Sequence, residues 1–323
     1  MRRRYLAPFA LFLVVFFLVG AFSHAILPAR PASAEGLEDL QLRLQQAIEA
    51  SGFDVTMAVT DLQTGETAAV RGEEPRLSGC TINLLVLMQA TLDMQAGLLQ
   101  KEDVDFALRQ TIMWSDPHFS RQIVSMIGGG DIRAGVVRVQ ELASSLGLQT
   151  AVFDHPPAYD MYSTSLPVPP PPVPQEDGTL AAEAPAEGEI LPPLPPDVVV
   201  PANVISPLEM NQLLGKLWRN EILSPEWTSY LLERMTRVSS GLQFILGTFA
   251  GSGNVVSHKN GYTWSPESRH TDGDVGLVRF TVGDTEYAYA VSYYASQLDD
   301  ELGDIGIAQR LMRITRDYFN QKY

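Results

Sequence analysis

Cysteine is almost missing from this chain: Cys80 is the only one in 323 residues. One thiol closes no internal disulfide, so stability must come from a packed core. Positive charge is also scarce, with 23 Lys and Arg against 38 Asp and Glu and a formal net charge of -15 at pH 7. That balance leaves no basic stripe to meet phosphates and excludes nucleic acid as a partner. It also disfavours adsorption of the folded part onto anionic membranes. Histidine occurs five times, scattered at positions 24, 118, 155, 258 and 270, without the Cys/His spacing of a metal site. No metal and no cofactor are expected. Apolar residues, in contrast, are plentiful: 45% of the chain is hydrophobic and 19% charged, enough to build a real core. The length suits one large domain or two ordinary ones.

The N-terminus has the layout of an export signal. Arg2, Arg3 and Arg4 precede a 17-residue apolar run at 6–22, and Ala32, Ser33 and Ala34 supply small residues for cleavage. The run is also near the length of a membrane span. Residues 1–34 are therefore expected to be a signal peptide or a membrane anchor. Residues 35–323 are then an extracytoplasmic domain, secreted or tethered, touching a membrane only through that segment.

Along the rest of the chain, "LEDLQLRLQQAIEA" at 37–50 repeats apolar residues at helical spacing. "FDVTMAVTDL" and "TAAVRG" alternate like strands around Gln63, Thr64, Gly65 and Glu66, which predicts a hairpin. A wholly apolar helix follows at about 81–98, and residues 101–148 read as helices broken at Gly128, Gly129 and Gly130. The stretch 155–201 differs in kind, with fourteen of the 22 prolines and neither Lys nor Arg. Such a composition forms no regular ladder. It reads as a disordered proline-rich insertion, with docking of a protein partner as its functional alternative. Ordered signals resume at Ser206, Pro207, Leu208 and Glu209, a helix start with its cap. Helices run on to about 237, three strand-like runs come next ("NVVSHKNGYTW", "DVGLVRFTV", "EYAYAVSYYA"), and a helix at about 302–321 closes the chain. Two strands near one end and three near the other, with helices between, predict an α+β domain. Its five-stranded antiparallel sheet is built from both termini and flanked by helices. An all-helical lobe stands beside it, with a cleft between the lobes.

Three short motifs fall at telling places in this layout. "CTIN" at 80–83 opens the apolar helix, "SDP" at 115–117 lies in the helical section, and "KNG" at 259–261 lies on a strand. With the flanking "MAVTDLQTGE" and "DVGLVRF", they resemble S-x-x-K, S-D-N and K-T-G of the penicillin-recognising serine hydrolases, the class A β-lactamases and their peptidase relatives. The resemblance covers nearly the whole exported chain apart from the insertion. It implies a β-lactamase-like fold and places Cys80, Asn83, Ser115 and Lys259 at the catalytic positions. Asp116, Pro117, Asn260, Gly261 and Tyr262 fall at ligand-binding positions. It also makes the backbone amides of Cys80 and Tyr262 the donors for an oxyanion.

The departures carry the chemical argument. Cys80 replaces the serine nucleophile with a thiol, reactive only as thiolate. Asn83 replaces the lysine, and an amide neither takes a proton at neutral pH nor carries charge. Pro117 removes a side-chain amide. A second base, a glutamate in the family, has no clear counterpart; Asp154 and Asp160 lie nearest its place. The expected function is an exported β-lactamase-like domain with impaired catalysis, binding a β-lactam, a peptidoglycan-type peptide or a protein in the cleft. The first alternative is a hydrolase of β-lactamase or peptidase type acting through Cys80. The second is a structural or adaptor protein acting through the proline-rich insertion.

Overall fold

The alternating runs from both ends of the chain meet in one sheet. The structure, a computed structural model, describes residues 36–156, 203–251, 253–265, 269–300 and 302–323, with two dipeptide strands in between. The leader, Asp160 and nearly all of the proline-rich stretch lie outside the described residues.

In chain order the elements are α1 (Glu38–Ser51), β1 (Asp54–Asp61), β2 (Thr67–Val70), β3 (Arg76–Leu77), a 3₁₀ turn (Gly79–Ile82), α2 (Asn83–Gln95), α3 (Lys101–Met113), α4 (Pro117–Ile127) and α5 (Ile132–Ser145). The short strands β4 (Val173–Pro174), β5 (Leu180–Ala181) and β6 (Val204–Ile205) come next. Then follow α6 (Pro207–Trp218), α7 (Pro225–Met235), β7 (Val255–Ser265), β8 (Arg269–Val282), β9 (Thr285–Leu298) and α8 (Ile305–Lys322). The main sheet has the order β2-β1-β9-β8-β7, and its successive neighbours are antiparallel. This is the expected five-stranded sheet, joined at β1 and β9.

Boundaries shift where local chemistry overrides periodicity. The apolar helix begins at Asn83 rather than at Thr81, because Gly79–Ile82 winds as a 3₁₀ turn. The closing helix begins at Ile305, after a turn over Leu302. Ser206 caps α6 as read, its hydroxyl accepting from the Glu209 N–H with Pro207 in the first position.

The sheet has an apolar cluster on each face, as strand alternation requires. One holds α2, the other helices of the lobe, and Val275, Leu277, Ala290 and Tyr294. The other holds α1 and α8 against Val59, Val278, Val291 and Tyr293. α2 runs through the first cluster and is buried on nearly all sides. Among the described residues no helix is long and apolar enough to cross a membrane.

Candidate active site

The register of β7 decides what faces the helical lobe. Lys259 pairs with Val275 and Gly261 with Gly273, which pairs with Tyr294, so Lys259 and Gly261 lie on the α2 side. Asn260 pairs with Asp274, opposite Tyr293, and so belongs to the α8 side. The 3₁₀ turn presses on this strand. A Cβ at Gly261 would lie 2.5 Å from the Thr81 nitrogen and 2.8 Å from the Cys80 nitrogen, and one at Gly79 would lie 2.8 Å from the Tyr262 nitrogen. Both glycines are required by this approach. The amides of Cys80 and Tyr262 therefore line one junction between turn and strand. Thr81 braces the turn by donating to the Ser78 carbonyl at 2.6 Å, and its hydroxyl lies 3.1 Å from the Tyr294 hydroxyl.

Cys80 is half-buried at this junction, its Sγ 3.9 Å from the Ser115 carbonyl oxygen. Asn83 follows one 3₁₀ turn later, its backbone N–H bonded to the carbonyls of Cys80 and Thr81. Its side chain is fully enclosed, and Ser120 on α4 donates to Oδ1 at 2.5 Å. Nδ2 has no hydrogen-bond partner among the described residues.

Ser115 sits in the connection from α3 to α4 with φ +55°, a left-handed conformation that costs a non-glycine residue about 1 kcal/mol or more. Lys259 holds it there, Nζ donating to Ser115 Oγ at 2.5 Å and to the Asn260 carbonyl at 2.6 Å. Asp116 caps α4 by accepting from the His118 N–H, and Pro117 occupies the first helical position. The side chain of Asp116 thus serves the helix start that aims Ser115.

Lys259 is completely enclosed. Burial pushes its ammonium down to about 8 from 10.5, against the opposing pull of Cys80 and Asp274. Asp274 accepts from His258 Nδ1 at 2.8 Å and from the Leu246 N–H at 2.9 Å, on the far face of the strand. Tyr262 turns its ring to the same far face, stacked on His270 with its hydroxyl bonded to that ring. The backbone of Tyr262 is what meets the turn.

Asp154 lies at the edge of the site. Its carboxylate is 43% exposed and 3.8 Å from His155 Nδ1. Asn203 ties this stretch to the turn: its Oδ1 accepts from the Asp154 N–H, its Nδ2 donates to the His155 carbonyl, and its own carbonyl accepts from Ser78.

A family model described as the β-lactamase enzyme family matches residues 130–319. The chain belongs to that family. Among solved structures it is similar to PBP-A, at 18% identity and TM-score 0.64, over 89% of this chain and 98% of that one. It is similar also to a β-lactamase from Chitinophaga pinensis, at 16% identity and TM-score 0.64, over 87% and 99%. A third is the chromosome-encoded β-lactamase of Vibrio parahaemolyticus, at 14% identity and TM-score 0.62, over 87% and 98%. A point mutant of PBP-A, 17% identical to this chain, was solved as an acyl-enzyme complex with penicillin G. No curated protein matches the chain. Likeness at these identities establishes the fold, and the family's fold is what brings the three motifs together here.

The structure gathers Cys80, Ser115, Lys259, Gly261 and the Tyr262 backbone around one point. It withdraws Asn83 toward α4 and the side chains of Asn260 and Tyr262 to the other face of β7. Ser120, Asp274 and Asn203 were not singled out from sequence. Ser120 follows Pro117 by three positions and would lie near the site on any helix beginning there, the one signal that pointed to it.

Proposed function

We propose that this is an exported domain that binds β-lactams or related carboxylate-bearing acyl compounds, peptidoglycan peptides included, and turns them over poorly or not at all. The observation that carries this reading is Asn83. Where the resemblance implies a lysine, an amide is locked to Ser120, with no proton acceptor and no charge to offer Cys80. General acid–base assistance is typically worth about 10²- to 10⁴-fold, and residues acting as a unit lose most of their effect together. The enclosed Lys259, bonded to Ser115, remains a cation that can meet a ligand carboxylate.

Reconstruction of the replaced pair tests this. Cys80→Ser alone should form no adduct with benzylpenicillin, since a hydroxyl without its base is the weaker nucleophile. Cys80→Ser with Asn83→Lys should acquire the mass of one penicillin and release it slowly. Adding Pro117→Asn should speed the labelling. A folded double variant that never gains mass would sink the reading.

A second reading is favoured by the Ser115–Lys259 contact. Lysine near 8 is a usable base bonded to the Ser115 hydroxyl, and Cys80 Sγ lies 3.9 Å from the backbone carbonyl oxygen of the same residue. Cys80 would attack the lactam carbonyl, its S–C bond forming as the C–N bond breaks. The thiol proton would pass through Ser115 and Lys259 to the leaving nitrogen. A mass increase of the wild type that prior alkylation abolishes would favour this reading over simple binding.

A further inference from the structure

The hydrogen-bond partners of the enclosed Lys259 carry no charge. Its Nζ donates to the Ser115 hydroxyl and to the Asn260 carbonyl, and neither balances an ammonium. A buried ion needs an opposite charge as well as hydrogen bonds. The elements packed around it offer few. The turn brings Cys80, which is charged only as thiolate. The connection from α3 to α4 brings Asp116, whose carboxylate is engaged at the start of α4. The buried residues of α7, Thr228, Leu231, Leu232 and Met235, are uncharged. Arg279 reaches Ser257, two residues from Lys259, and adds like charge beside its partner Glu286. On β9, Tyr294 meets Thr81, and Tyr293 donates to Asp304, whose carboxyl is raised by burial.

Asp274 stands apart from these. It is the register partner of Asn260, whose carbonyl Lys259 holds, and it neighbours Val275, the partner of Lys259 itself. Its side chain lies on the other face of the sheet, one backbone layer away. There it is 1% exposed and clamped, one oxygen by His258 Nδ1 and the other by the Leu246 N–H. A neutral imidazole and a backbone amide are enough to hold it, so its charge is free to act on Lys259. Asp272, next on that face, is turned to the Gly273 N–H.

We infer that Asp274 is the counter-charge of Lys259, acting across the β7–β8 ladder, and that this pair keeps the site cationic for a ligand carboxylate. The second half rests on the proposed binding function and adds its electrostatic basis. Asp274 touches no ligand; it is a positioning residue that acts through Lys259. An opposite charge nearby favours the charged form of a lysine, and weak screening in the interior carries the effect across one backbone layer.

The test follows the charge of Lys259 by NMR of the full chain carrying isotope-labelled lysine, with Lys259→Met to assign its signal. The chain has only four lysines. The midpoint of Lys259 is expected at about 8 in the wild type and about one unit lower in Asp274→Asn. At pH 8 about half of the wild type but only about a tenth of the variant is then protonated. Calorimetric titration should show benzylpenicillin bound about 5-fold more weakly by the variant at pH 8 and equally at pH 6, where both are protonated. An equal loss at both pH values would mark a merely structural role and overturn the inference. An unmoved midpoint in the folded variant would overturn it too, leaving the proposed function standing. Should the variant not fold, the wild type carries the test. The labelled Asp274 Cγ signal should shift in step with the Lys259 titration, and a constant signal would overturn the pairing. A wild type that binds no benzylpenicillin at either pH would overturn the proposed function, while the titration still decides the pairing.

Discussion

A lysine held in a protein interior is a cost unless its charge is met, and Lys259 is fully enclosed with its ammonium lowered to about 8. The sign of its pH dependence follows. Between about 8 and 10.5 the folded chain holds Lys259 neutral while the unfolded chain keeps the proton, so the unfolded state binds more protons and stability rises with pH. Below about 8 both states are protonated and the cost of burial is fully present. Wild type should therefore gain on Lys259→Met between pH 8 and 10, by up to about 1.4 kcal/mol per pH unit, measured by urea unfolding of both proteins. A constant difference across that range would show that Lys259 titrates normally. At this scale the sequence was readable where a residue type is rare or misplaced. Cys80, Asn83 and Pro117 stood out against a known pattern. Ser120 and Asp274 did not, because their meaning depends on which side chain the fold sets beside them.

The junction of the 3₁₀ turn with β7 decides whether the site exists. Its tightest point is Gly261, where a methyl group would meet backbone nitrogens of Thr81 and Cys80. Backbone cannot give way as a side-chain tip does. Gly261→Ala should cost about 2 kcal/mol or more and abolish ligand binding. Gly306→Ala, in the first turn of α8 with open space around its Cβ, should be neutral or stabilising by up to about 1 kcal/mol. Thermal unfolding of the pair checks this, and equal effects would mean that the turn moves freely. The elements were largely legible, since period-2 alternation and helical apolar spacing are local properties. Their ends were less so. β8 begins at Arg269, ahead of the apolar run that marked it, because pairing to β7 extends the ladder into polar residues.

Over the whole molecule, the two segments flanking the proline-rich stretch meet at the site's edge. Val152 bridges to Val204, and Asn203 donates to the His155 carbonyl at 2.8 Å. The ends are joined by contacts of their own. Replacing 157–202 with a short Gly/Ser linker should therefore leave the melting temperature within a few degrees of wild type, as loop-closure entropy changes slowly with length. Failure to fold would make that stretch part of the core. The class of fold was legible from the order of helices and strands. The crossover that sets β9 between β1 and β8 was not read from sequence, because strand order is fixed by packing on both faces at once.

The central claim is binding without efficient turnover, and one tube tests it. Benzylpenicillin is followed by proton NMR in the presence of the wild-type protein for several hours. Its signals should broaden, and recover when Lys259→Met replaces the wild type, while hydrolysed product rises no faster than in buffer. Product appearing over many turnovers would contradict the loss of catalysis, and signals that never broaden would contradict the binding.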